Sequence, residues 1–310
     1  MNFRLTVAAT LAALVIPANA QQPQPFQQRA FLIFEGGESQ EVWLTAASKD
    51  RVRFRETERG VDTKDLLISE TEAIYIIEPR EFSKAIDLYQ ARKYEEAKAA
   101  FAAIKVRQKP LETLEGNFST LANFYELESM RRLGDLEGLA AGLESFIKDP
   151  LTRENHLRQI EMYVFWDAVR SKSWARLDTL ANERLKERLP GYQRAQIAYT
   201  HGLALEGLGK NTEALNAYNV ALTADSAGSE DIARSAALNI LRIHKADPEV
   251  QLAMKLWGTP DDNPNAQGRA RLLEASSIAH LFQLGLGAGT SLPADFTEFL
   301  KYKAEVEKEG

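Results

Sequence analysis

Residues 194–228 read RAQIAYTHGLALEGLGKNTEALNAYNVALTADSAG. Apolar side chains recur at three- and four-residue spacing on either side of Gly209-Lys210-Asn211. The segment therefore predicts two amphipathic helices joined by a tight turn. Small residues fall where two such helices must cross closely: Gly202 in the first, Ala214 and Ala221 in the second. Tyr218 is expected to fill the gap between them, and Asp225-Ser226 to end the second helix.

From Gly202 the pattern runs on to Gly209, Ala214, Tyr218 and Ala221. This spacing resembles that of the tetratricopeptide repeat, whose period is about 34 residues. The resemblance implies a helical hairpin that cannot bury its apolar face alone and stacks on copies of itself. It also implies a fold that commonly serves as a docking surface.

Working outward, Glu81 to Pro110 carries the same pattern, with Ala85 at the close crossing and Tyr94, Ala97 and Phe101 in the second helix. Thr120 to Asp149 is a weaker copy turning at Leu133-Gly134-Asp135-Leu136, and Arg158 to Gly191 is weaker again, with Phe165 where a small residue is usual. These units start about 37 to 42 residues apart, longer than the ideal period. Asp231 to Ala246 and Pro248 to Trp257 form a further pair, with Asp247 placed to cap the second helix and Pro248 at its first position. Arg269 to Leu284 reads as another helix, stopped by Gly285, Gly287 and Gly289. Pro293 to Lys308 reads as a charged closing helix.

The amino-terminal part differs in period. Between residues 30 and 79 five short runs, including AFLIFE, EVWLT, RVRFR and AIYII, are separated by glycine turns. Such a set predicts a small closed or nearly closed barrel, because closure removes exposed edges. It resembles the SH3-like or Sm-like barrels that precede helical repeats in some exported bacterial proteins. Ahead of it, residues 1–20 combine Arg4, an apolar run from Leu5 to Ile16 and Ala18-Asn19-Ala20, the marks of a cleaved signal peptide. The run is short of the ~20 residues that span a bilayer. Residues 21–29 read as a flexible Gln/Pro-rich leader. The expected organisation is thus α+β overall and mainly α: a small β-barrel at 30–79, then a tetratricopeptide-like α-solenoid of about five helical hairpins at 80–310. The expected location is periplasmic or secreted after cleavage following Ala20.

Composition narrows the chemistry. The chain has 310 residues, 26% of them charged, a net charge of −6 and no cysteine. Disulfides, thiolate metal sites and a cysteine nucleophile are excluded, and the acidic balance argues against nucleic acid as a partner. His156, His201, His244 and His280 stand in no metal-ligand spacing, and hydrolase signatures are absent. No cofactor, metal or catalytic residue is expected. Asn117-Phe118-Ser119 is a glycosylation sequon. Arg51, Arg53 and Arg55 share one strand face, read as a solvated face neutralised by Glu35, Glu38, Glu41, Glu56 and Glu58, with contact to an anionic surface as the alternative.

One constellation stands out. In the resembled family the first helix of each pair lines a concave surface. Aligned by the repeat, that face carries Phe124, Glu128 and Arg131, then Met162, Trp166 and Arg170, then Tyr199 and Leu203. Aromatic and arginine side chains dominate binding hot spots, and the arginines are placed for a partner's carboxylate or backbone carbonyls. Phe124 and Trp166 packed between neighbouring repeats is the alternative. The reading is an exported, non-catalytic scaffold that holds a protein or peptide partner in the cell envelope. A carbohydrate- or peptidoglycan-associated module is the alternative, and an enzyme with an unrecognised site a weaker one.

Overall fold

A computed structural model describes residues 25–225, 228–286 and 290–303. The expected signal peptide lies outside the described residues. The chain divides between Ile77 and Glu78 into two compact units.

The first unit is one antiparallel sheet of β1 (Gln28–Ile33), β2 (Ser39–Ala47), β3 (Arg51–Arg55), β4 (Lys64–Leu67) and β5 (Ala73–Ile76). β1 begins at Gln28, inside the stretch read as leader. Alternation along the strands sends Ala30, Leu32, Val42, Leu44, Val52 and Phe54 to a buried face and the arginines of RVRFR to the other, where Arg51 and Arg53 are exposed and Arg55 half-buried. A bulge between Leu44 and Ala46 bends β2 so that it can pair with both β1 and β3. The strand order is β4-β3-β2-β1-β5, with β4 and β5 as edges that each pair with one neighbour. The expected closed barrel is therefore corrected to an open sheet. β4 and β5 are four residues long and separated by a 3-10 turn at Ile68–Glu70, which leaves no pairing between them to close the ring.

The second unit is helical: α1 (Arg80–Gln90), α2 (Tyr94–Gln108), α3 (Phe118–Leu133), α4 (Leu136–Glu144), α5 (Glu154–Arg170), α6 (Trp174–Arg184), α7 (Gly191–Gly207), α8 (Asn211–Ala224), α9 (Glu230–Ala246), α10 (Pro248–Leu256) and α11 (Gln267–Leu281). Even-numbered helices pack on the odd-numbered ones before and after them, while α5, α7, α9 and α11 also pack in sequence on one another. One continuous core runs from Leu127 and Leu139 through Trp166, Ala198 and Tyr218 to Ile240, Leu272 and Phe299.

The α7–α8 crossing shows why small residues sit there. A β-carbon on Gly202 would stand 2.4 Å from Cε1 of Tyr218, inside van der Waals contact. Tyr218 is fully buried between the helices, and its hydroxyl donates to Glu206 Oε2 at 2.7 Å. The turn between the helices uses Gly209 at φ +76°, a conformation that costs glycine little. Asp247 caps α10 as its position predicts, with Oδ1 accepting from the Glu249 amide at 2.9 Å.

The carboxy-terminal expectations need two corrections. Regular α-helix stops at Leu281 and continues as a π-helical turn, Phe282–Leu286, that already contains Gly285; Gly287 and Gly289 lie outside the described residues. The charged closing helix is a 3-10 helix, Ala294–Lys301, started after Pro293 and held by buried Phe299; residues past 303 lie outside the description.

Candidate functional site: a buried charge network beside a polar cavity

Helix α3 places Glu128, Arg131 and Arg132 within one turn, so all three project toward the same side. Glu128 is buried and accepts from Arg131 Nε at 3.0 Å, Tyr163 Oη at 2.8 Å and Gln159 Nε2 at 2.9 Å. Arg131 is buried as well and reaches Asp231 Oδ2 on α9 at 3.3 Å, while Arg132 donates to Asp231 Oδ1 at 2.7 Å and to the Tyr89 hydroxyl at 2.9 Å. Beneath them Gln159 and Gln196 exchange amide hydrogen bonds at 3.1 and 2.9 Å, and Trp166 Nε1 donates to Gln196 Oε1 at 3.0 Å. The Arg131 guanidinium lies 5.5 Å from the Trp166 ring centre.

Electrostatics fixes the protonation of this network. Burial alone would raise the Glu128 carboxyl, but the Arg131 guanidinium overrides it and holds the pKa below the ordinary glutamate value. Asp231 is lowered in the same way, burial being outweighed by Arg131 and Arg132. Burial and the neighbouring Glu128 charge raise the Tyr163 and Tyr89 phenols, so both remain neutral donors. His156, stacked 4.4 Å from Phe124, is lowered by burial and by Arg153. Two arginines against two carboxylates leave the cluster neutral, with its charges satisfied from within.

Two cavities adjoin it. One of about 260 Å³ is lined by Glu128, Arg131, Phe124, His156, Gln159 and Gln196, with half-buried Tyr89, Tyr125 and Tyr192 and exposed Asn155. The other, about 690 Å³, shares Tyr89, Arg132 and Asp231 and extends past Arg92, Tyr94 and Arg234. Arg92 and Arg234 both pair with Glu230 at the start of α9.

Of the residues placed on a concave face by sequence, Phe124, Glu128 and Arg131 meet in the smaller cavity. Trp166, 6% exposed, and partly buried Tyr199 lie in the main core with their ring centres 6.0 Å apart, and Leu203 packs against the same core. Met162 belongs to a separate cluster with Phe165, Leu177 and Ile197 between α5, α6 and α7. Arg170, at the end of α5, pairs with Asp167 and Glu137. Met162, Arg170 and Leu203 line neither cavity. Arg131 meets two carboxylates, Glu128 and Asp231, both of the same chain.

Tyr89, Arg132, Tyr163, Gln159, Gln196 and Asp231 were missed. A signal existed for two of them: Gln159 and Gln196 are 37 residues apart, the shorter of the spacings expected between units from sequence, and both are glutamines. The Asn117 sequon is closed to modification in the folded chain. Its side chain caps α3, accepting from the Thr120 amide at 2.8 Å and donating to the carbonyls of Glu112 and Leu114, and the residue is 1% exposed. Among the described residues no cluster of three histidine, aspartate or glutamate side chains could hold a metal ion, and no helix is long and apolar enough to cross a membrane. The chain matches no protein-family model, no curated protein and no solved structure.

Proposed function

We propose that this chain is an exported, non-catalytic scaffold of tetratricopeptide type, and that it holds a protein segment at the cavity edged by Tyr89, Tyr125, Asn155 and Tyr192. The observation that carries this reading is the Glu128–Arg131–Asp231 network on the cavity wall. The charged groups of this wall are paired with one another, which makes it rigid, while three half-buried tyrosines in the lining supply large contact area at small entropic cost. The helix pairs stacked in order and the close approach at Gly202 support the repeat assignment. The apolar run and Ala18-Asn19-Ala20 support export to the periplasm or beyond.

The test uses a photo-crosslinking amino acid at Asn155, exposed at the cavity edge, and at Glu183, exposed on α6 and lining neither cavity. Irradiation of intact cells should give a discrete protein adduct from position 155 and none from 183. Identical adducts from both positions, or none from 155, would place the partner elsewhere.

A further inference from the structure

We propose that the sheet face opposite the buried residues is a second binding site, for an anionic polysaccharide whose rings lie on Trp43, Phe31 and Tyr75 and whose carboxylate meets Arg55. Strand register defines the row. Arg55 stands opposite Trp43 across β2–β3, Phe31 opposite Glu41 and Arg29 opposite Trp43 across β1–β2, and Phe31 opposite Tyr75 across β1–β5. Opposed residues share a face, so Arg55, Trp43, Phe31 and Tyr75 cross four neighbouring strands on the side away from the buried residues. With strands ~4.8 Å apart, the aromatic part from β2 to β5 extends roughly 10 Å, the reach of a short run of linked pyranose rings.

Three features set this face apart. A solvated face of an antiparallel sheet is ordinarily polar, yet this one carries three aromatic side chains, with Tyr75 61% exposed. Tyrosines and phenylalanines of the helical unit pack ring against ring, as Tyr89 does on Tyr94 and Phe101 on Tyr125. Among the described residues Phe31, Trp43 and Tyr75 stack on no other ring. The charges are also unevenly committed. Arg29 pairs with Glu41, Arg53 with Asp65 at 2.8 Å, and Lys64 with Glu56 at 2.6 Å, while Arg51 lies 3.9 Å from Asp50. Arg55 has no carboxylate or hydrogen-bond partner for its guanidinium among the described residues, and its Nε is shielded from water.

Arg51 and Arg53 are thus met by Asp50 and Asp65 rather than by the glutamates expected from sequence, and the arginine beside Trp43 by neither. Among the described residues Arg55 is the cation on the strands that meets no carboxylate, and its place beside Trp43 selects the ligand class. A nucleic-acid strand is held by several cations spread along its phosphates, and Arg29, Arg51, Arg53 and Lys64 on the strands already have carboxylate neighbours. A uronate-bearing glycan presents apolar C–H faces to the rings and a carboxylate to the guanidinium, which accepts it as a fork. The net charge of −6 means that bulk attraction would not bring such a polymer to the chain, so retention would report this face.

The experiment is native gel electrophoresis of the full chain through soluble polygalacturonate, with dextran and oligo-dT gels in parallel. Polygalacturonate should retard the protein, dextran should not, and Arg55→Gln, Tyr75→Ala and Trp43→Ala should each weaken the apparent affinity tenfold or more. Melting temperatures identify any variant that has unfolded; if Trp43→Ala does, half-buried Arg55 and exposed Tyr75 decide. No retardation by polygalacturonate, retardation unchanged in both Arg55→Gln and Tyr75→Ala, equal retardation by dextran, or stronger retardation by oligo-dT would each overturn the proposal.

Discussion

The guanidinium of Arg131 on α3 and the carboxylate of Asp231 on α9 meet at 3.3 Å, one hundred residues apart in the chain. Asp231 also holds Arg132, so a single carboxylate ties the end of one helix to the start of another across the intervening hairpins. Arg131 carries a second carboxylate, Glu128, from its own helix. With both guanidiniums withdrawn from water, each ion depends on its partners for solvation as much as for attraction.

Asp231→Asn should therefore be costly. It leaves Arg132 with neutral acceptors only and removes half the charge compensation of Arg131. Breaking one partner of a buried pair typically costs about 3–5 kcal/mol. The exposed α5 pair of Arg158 and Glu154 is the control, where Glu154→Gln should cost at most ~0.5 kcal/mol. Urea unfolding followed by circular dichroism measures both, and equal small effects would mean that Asp231 is solvated rather than structural.

Gly202→Leu should destabilise by about 1–3 kcal/mol, because the first atom of the new side chain already overlaps the Tyr218 ring. Asn211→Ala, at the exposed start of α8, should change the melting temperature little. A tolerated leucine at 202 would show that the two helices part easily and would weaken the repeat reading.

The difference between these sites also explains what was legible beforehand. Gly202 and Tyr218 lie on adjacent helices, so local spacing suffices to bring them together, and Asp247-Pro248 needs only its own helix. The Arg131–Asp231 contact depends on how the intervening hairpins turn, which no local pattern encodes. Helical phase was the weak point in the third unit. Consecutive helical residues point about 100° apart, and Phe165 and Trp166 both offer large apolar groups to an alignment. Arg170 accordingly faces Glu137 rather than the cavity, and Met162 joins the α6 side. Closure of the sheet was misread for a related reason: five alternating runs name strands, but whether the outermost two pair depends on their length and register.

Trp166 offers a direct measure of the core. It is buried in the main cluster and also donates to Gln196, so Trp166→Ala should cost roughly 3–5 kcal/mol. Trp166→Phe keeps most of the apolar contact and leaves Gln196 Oε1 with its bond from Gln159, so it should cost clearly less. A Trp166→Ala chain with near-parent stability would contradict the packing seen here.

Acid should loosen the network through Glu128. Its folded pKa and that of Asp231 lie below their ordinary values, whereas in the unfolded chain both carboxyls return to about 4. As pH falls through that region the unfolded state binds protons first. The stability contributed by each carboxylate is thus complete above the unfolded pKa and lost as pH drops through the lower folded value. His156, lowered by burial and Arg153, adds a separate loss as pH falls below its unfolded value near ~6.5. Comparing Glu128→Gln with the parent removes that contribution, since His156 is common to both. The amide can still accept from Tyr163 or Gln159 but cannot neutralise Arg131. At pH 7 the variant should be less stable by about 3 kcal/mol or more, and the gap should narrow steadily between pH 5 and pH 3. Urea midpoints at pH 7, 5 and 3 measure it. A gap that stays constant across that range would mean that the Glu128 charge does not stabilise the fold.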